Sequence, residues 1–296
     1  MKKNGMRIPW LLSLILFSSL CGQAEAKTPW RWQMTLKPEL ATDAMHMPHG
    51  LYVDAEKERY YVADSGNNRL LSFDRKGLLI HSFTANDELK TPSDLIRTKT
   101  GELWIIERGR NSLTRIDMAN KQTVPHTLTD QGRLVFPDRI EYNENGFYLL
   151  DKASGAVLML DTTLAVRQRF RCPAEQGNGG FVDFILHDNE VWALDQRAKA
   201  VYHFQANGEV AGRISLGEEI QVPVSLAIGS QGLLYVLDRL DGVIIAYDRD
   251  GRFKYRFLGA GQAQGQLYYP AELRFDPWGQ LCVVDEGNGR VEVFSR

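Results

Sequence analysis

The chain has 296 residues, with 35 Lys+Arg against 37 Asp+Glu and a formal net charge of −2. That balance, with no block of Lys or Arg, leaves no electrostatic footprint for nucleic acid. Three cysteines are too few for a disulfide framework, and no C-x-x-C-H stretch is present for covalent haem.

The first residues read as an export signal. Lys2, Lys3 and Arg7 precede an apolar run of 13 residues, Ile8 to Leu20. Ala24-Glu25-Ala26 then offers small residues at the two positions a signal peptidase reads, so cleavage is expected before Lys27. The mature chain would carry 32 basic and 36 acidic residues, a net charge of −4, and a periplasmic or secreted address. In a lipoprotein reading Cys21 bears the lipid, but Leu20 before it is larger than that cleavage tolerates. The run is shorter than the ~20 apolar residues of a membrane span, and no later segment reaches that length.

Residues 27–47 hold one strand and a linker. Trp30-Arg31-Trp32-Gln33-Met34-Thr35-Leu36-Lys37 alternates apolar and polar residues, the pattern of a half-buried strand. From residue 48 to 296 a unit recurs. It starts at Pro48, Pro92, Pro137, Phe181, Pro223 and Pro270, spaced by 44, 45, 44, 42 and 47 residues. An acid keeps the same register: Asp64, Glu107, Asp151, Asp195, Asp238 and Asp285. It is expected to accept backbone N–H groups across the turn that follows it. Each unit contains short β-type runs such as YYVAD and LLSF, joined by Asn-, Asp- and Gly-rich turns. Six units of four strands predict an all-β fold, a six-bladed β-propeller. The last unit stops at Arg296 after its third strand, so the strand at residues 30–37 is expected to complete it.

The stretch FLGAGQAQGQLYYPAELRFDPWGQLCVVDEGNGRVEVFS, residues 257–295, resembles the NHL-repeat propellers in its spaced glycines, Gly-Gln-hydrophobe, Pro, acid, strand and Asp-x-x-Asn-x-Arg. VADSGNNRLLSFD in the first unit matches equally well, whereas the fourth unit lacks the Pro and the turn Asn. NHL propellers have many functions, so the resemblance implies fold more than activity.

In such a fold the two residues after the repeat Pro should ring the central channel. The first ring reads His49, Ser93, Asp138, Val182, Val224 and Ala271; the second reads Gly50, Asp94, Arg139, Asp183, Ser225 and Glu272. Of these, His49, Asp94, Asp138, Arg139, Asp183, Ser225 and Glu272 are the candidate ligand-binding residues. The peptide-amidating lyases resemble this fold and hold a metal with histidines, one in a Pro-His context like Pro48-His49. Zinc needs three or four converging ligands, and no other blade places a histidine in the ring. Calcium takes six to eight oxygens, and the rings hold four carboxylates; exported six-bladed lactonases and esterases, which centre on such an ion, resemble this chain in fold only, and their Glu–Asn–Asn–Asp arrangement is not found at these positions. Arg139 can instead neutralise two of those acids. A Ser–His–Asp set of His49, Ser93 and Asp94 is what a polar channel supplies by chance, and no G-x-S-x-G is present.

The entry loops lie at one end of the channel. Met45, Met47, Phe136, Phe181, Tyr268 and Tyr269, with Arg108, Arg110, Arg197 and Arg239 from nearby turns, form a candidate partner face. The reading that follows is a monomeric, exported scaffold for a protein or peptide partner, in the cell envelope or outside the cell. It needs no cofactor, with calcium in the channel as the one candidate ion. The alternative is a calcium- or zinc-dependent lactonase, esterase or lyase acting at the channel. Cys172 and Cys282 fall on opposite blades and are expected to stay free.

Overall fold

The computed structural model describes residues 30–117, 120, 122–173 and 179–296. The expected export signal, residues 1–26, and part of the loop before blade 4 lie outside these described residues. Six four-stranded antiparallel sheets are arranged as the blades of a propeller. Blade 1 runs through Pro48–Asp54, Arg59–Asp64, Arg69–Asp74 and Leu79–Phe83. The inner strands of the next five blades are Pro92–Arg97, Pro137–Asn143, Phe181–His187, Pro223–Ile228 and Glu272–Phe275. The loop entering blade 3 adds a small hairpin of its own, Thr129–Asp130 with Arg133–Leu134.

The sequence explains why six sheets close on one another. Along the second strand of blade 5, Leu234 and Val236 pack with blade 4, while Tyr235 and Leu237 pack with blade 6. Period-2 alternation that is apolar on both faces buries a sheet on both sides. Six apolar layers result, one at each junction between neighbouring blades.

The last junction depends on the strand expected from the N-terminal segment. Arg31–Leu36 pairs antiparallel with Arg290–Ser295 and completes the sixth blade. Its alternation is not faultless, because a bulge shifts the register between Trp32 and Met34. Trp32 is consequently 41% exposed. Glu292, a fully buried carboxylate, accepts hydrogen bonds there from Trp32 Nε1 at 2.8 Å and Thr35 Oγ1 at 2.6 Å. Trp30 reaches past the strand into the layer between blades 5 and 6, and Leu36 into the layer between blades 6 and 1.

The recurring acid has a wider role than expected. It does serve the following turn, as when Leu240 N–H donates to Asp238 at 2.9 Å. Its more regular duty is backward, to the entry loop. His46 N–H donates to Asp64 at 2.8 Å, Lys90 N–H to Glu107 at 2.7 Å, and Tyr268 N–H to Asp285 at 2.7 Å. In blades 1 and 6 the turn Asn and Arg of the repeat converge on the same carboxylate, with Asn67 and Arg69 on Asp64 and Asn288 and Arg290 on Asp285. Asn68 and Gly289 take the left-handed conformation that lets the chain turn there. One acid per blade therefore fixes the loops of the face above it. Cys172 and Cys282 are free.

Because Leu36 is fully buried across the closing junction, Leu36→Ala should cost about 2–5 kcal/mol of stability. Urea unfolding of the two proteins measures this. A cost below about 1 kcal/mol would mean the strand is not what closes the ring.

Candidate functional site: the channel and its loop face

Each inner strand is the edge of its sheet, so half of its N–H groups have no strand to bond. The second-ring residues supply the missing acceptors across the gap between blades. Asp94 accepts Ile140 N–H at 2.9 Å, Asp183 accepts Leu226 N–H at 3.0 Å, and Glu272 accepts Leu51 N–H at 2.8 Å. Ser225 Oγ accepts Leu273 N–H at 3.0 Å and donates to Asp183 at 2.6 Å. In each case the side chain stitches its own blade to the next. At Gly50 there is no room for one, since a β-carbon would run into the Ser93 carbonyl and the Asp94 backbone.

The stitches bring carboxylates to the axis, where they are buried. Arg139 answers them. Its Nε lies 3.5 Å from Asp183 Oδ1 and its Nη1 lies 3.6 Å from Glu272 Oε2. Nη2 donates to the Ala271 carbonyl at 2.8 Å. Arg274 adds a second cation below, 2.9 Å from Glu272 and 3.0 Å from Glu141. Burial and then the neighbouring Glu272 push the Asp94 carboxyl up to about 8; burial pushes Asp183 up to about 6.

Arg139 divides the channel in two, because it lines both a funnel of about 500 Å³ above and a smaller cavity of about 170 Å³ below. In five blades a β-bulge follows the first inner-strand residue, for instance between Pro48 and Gly50. The two predicted rings separate accordingly. His49, Asp138, Val182, Val224 and Ala271 line the funnel, while Asp94, Asp183 and Glu272 line the lower cavity. The register of blade 4 matches the others, with Phe181 opposite Asp195 and Asp183 opposite Leu194.

His49 stands at the floor of the funnel between two guanidinium groups. Arg108 Nη2 is 2.9 Å from its Nε2, and Arg139 Nη1 is 3.1 Å from its Nδ1. Nδ1 also lies 3.2 Å from the Ser93 carbonyl, which fits a ring carrying its proton there and accepting from Arg108 at Nε2. Burial, then Arg139 and Arg108, hold its pKa well below the usual histidine range, so the imidazole is neutral. It meets the Ser93 backbone and not the hydroxyl, so the three residues His49, Ser93 and Asp94 form no nucleophile relay. Among the described residues no three His, Cys, Asp or Glu side chains gather around one point in a way that could hold a metal ion.

Asp138 is bound by Arg108 at 2.7 Å and faces Lys152 at 3.6 Å; burial opposes its ionisation, but Arg108, Arg139 and Lys152 outweigh it and keep its pKa low. Arg239 holds Glu286 with two contacts of 3.2 Å and lies over the Tyr269 ring. Phe136, Tyr268 and Tyr269 are exposed. Phe181 is not, at 4% exposure. It occupies the place of the repeat Pro and packs against Tyr202 and Phe204. Arg110 is likewise committed, bonding Thr123 Oγ1 at 3.1 Å and the Glu88 carbonyl. It does for blade 2 what Asn67 does for blade 1, where the side-chain amide holds the Ala44 carbonyl. Lys152, Glu286, Glu141 and Arg274 were not among the residues the sequence singled out. The last two follow from the strand period, since they lie two residues beyond Arg139 and Glu272.

Residues 45–73 match the NHL repeat. The chain is a six-bladed β-propeller that carries an NHL repeat. Over 281 residues it is 24% identical to the E3 ubiquitin-protein ligase TRIM32 of Mus musculus, covering 84% of this chain and 42% of that protein. The chain therefore spans less than half the length of that relative. A gluconolactonase from Xanthomonas campestris has the same fold with a TM-score of 0.67 at 14% identity, covering 89% of this chain and 98% of the other. Virginiamycin B lyase from Staphylococcus aureus gives a TM-score of 0.62 at 15% identity, covering 90% and 99%. At such identities the likeness is one of fold.

Asp94 and Asp183 keep protons in the folded propeller at pH values where an unfolded chain, with carboxyls near ~4, has lost them. The folded state then binds more protons between about pH 4 and pH 8, so stability falls as pH rises through that window. Urea midpoints measured from about pH 5 to about pH 8.5 should decline, and Asp94→Asn should flatten the decline above about pH 6. An unchanged slope in the variant would show that Asp94 does not hold the proton.

Proposed function

We propose that this protein is an exported binding module whose rigid propeller presents the funnel face to a protein or peptide partner in the cell envelope or outside the cell. The observation that carries the reading is the rim. Met47 lines the funnel, Phe136 and Tyr269 meet its lining residues Lys152 and Arg239, and Leu240 and Tyr268 follow or precede these in sequence; all five stand 43–58% exposed, although the fold has six apolar layers in which to bury such side chains. Apolar side chains ringing a cavity mark interaction surfaces more often than chance exposure does. The loops that carry them are pinned by the recurring acids, so the face is preorganised and loses little entropy on binding. NHL propellers are generally protein-interaction domains. The positive start, apolar run and small-residue site within residues 1–26 support export.

A metal-assisted lyase or lactonase is the competing reading, because solved propellers of this fold carry those names. Its chemistry calls for a cation among the axial carboxylates. Here that charge is supplied by the Arg139 guanidinium, and both nitrogens of His49 are engaged, Nε2 by Arg108 and Nδ1 by the Ser93 carbonyl.

A photo-crosslinking amino acid placed at Phe136 or Tyr268 in living cells should capture a discrete partner, and one at Phe253, exposed on an outer strand, should not. Equal capture at all three positions, or none at the rim, would remove the binding-face reading.

A further inference from the structure

The two ends of the divided channel are lined by different sets of ionisable groups. Below Arg139 the cavity is lined by Asp94, Glu141, Asp183 and Glu272, with Arg139 and Arg274 as its cations. Above it the funnel is lined by Arg108, Arg139, Lys152 and Arg239, and its acids are Asp138 and Glu286. Glu286 is held by Arg239 alone through two contacts, whereas Asp138 is shared between Arg108 and Lys152. The Lys152 side chain is 69% exposed and sits 3.6 Å from its acid, beyond hydrogen-bonding distance. Funnel cations therefore outnumber funnel acids while the chain as a whole is acidic. Low-dielectric walls focus such a field into the cleft.

We infer that the funnel takes a carboxylate, presented by an extended peptide as an acidic side chain or as its C-terminus, with the peptide's apolar residues seated on the rim. This rests on the binding-face reading above and names its chemistry. Guanidinium and ammonium groups gathered on one axis fit a single anion at the bottom of a closed funnel. They do not form the stripe of cations that would track a nucleic-acid backbone. The floor is shut by Arg139, so the anion enters from the loop side and stops beside Arg108 and Lys152. The rim supplies apolar contacts on either side of it: Met47 from blade 1, Phe136 from the loop whose carbonyl accepts Lys152 N–H at 2.9 Å, and Tyr269 beneath Arg239. A carboxylate there makes charge-assisted hydrogen bonds, which are shorter and stronger than neutral ones.

The test passes a library of heptapeptides, randomised at every position and made with free and with amidated C-termini, over the immobilised protein at low salt. Retained peptides are identified by mass spectrometry. Asp and Glu, or free C-termini, should be enriched at least fivefold over the input, with Phe, Tyr and Leu enriched beside them. Lys152→Glu, at an exposed position, should abolish the acidic enrichment, and Lys76→Glu, on a distant exposed turn, should leave it intact. Inorganic phosphate at equal concentration should compete no better than acetate. Apolar enrichment without acids would overturn the carboxylate inference and leave the binding face standing. Retention no greater than on a bare column would count against both. Displacement by phosphate but not by acetate would assign the funnel to a different anion and overturn the inference.

Discussion

Six inner strands converge on one axis, and each turns an unpaired edge toward its neighbour. The N–H groups of those edges must be satisfied in a buried place. Asp94, Asp183, Ser225 and Glu272 do this by reaching from one blade to the next. That solution crowds three carboxylates near the axis, and burying them unpaired would cost several kcal/mol each. Arg139 is the consequence. It lies between the funnel and the lower cavity, so the cations of the loop side and the axial acids stand on opposite sides of it. The character of the loop face thus follows from a backbone requirement deep in the fold.

The opposite constraint acts on the outside of the ring. Each blade is apolar on both faces and has to be covered on both, so the ring has to close, and a missing outer strand in blade 6 would expose the layers on either side. The N-terminal strand answers this with Trp30 and Leu36, and buried Glu292 accepts hydrogen bonds from its Trp32 and Thr35. Closure makes the scaffold rigid, and rigidity is what lets short loops hold a defined face.

Much of this could be read from the chain because its signals are periodic. Spacing of 42–47 residues gives the blades, and two residues after each Pro gives the axial ring, even in blade 4 where Pro is replaced. The same alignment should have buried Phe181, since it stands where the repeat prolines stand and those are buried as well. It should likewise have given Arg110 the job of the turn Asn. The bulge at Trp32 was not legible, and the carboxylate that Trp32 bonds there lies 260 residues away. Nor was the division of the channel. Alignment places Arg139 among the acids, but only the fold shows its guanidinium reaching Ala271 and Glu272 on the sixth blade.

The claim that the axis is held by Arg139, and that the channel serves binding, is tested most directly by the metal content of the protein purified without chelator. Elemental mass spectrometry should find calcium and zinc well below one equivalent per chain, with thermal melts that neither EDTA nor added Ca²⁺ shifts. One equivalent of either ion, together with a melt that EDTA lowers, would contradict the account and return the channel to metal-assisted chemistry.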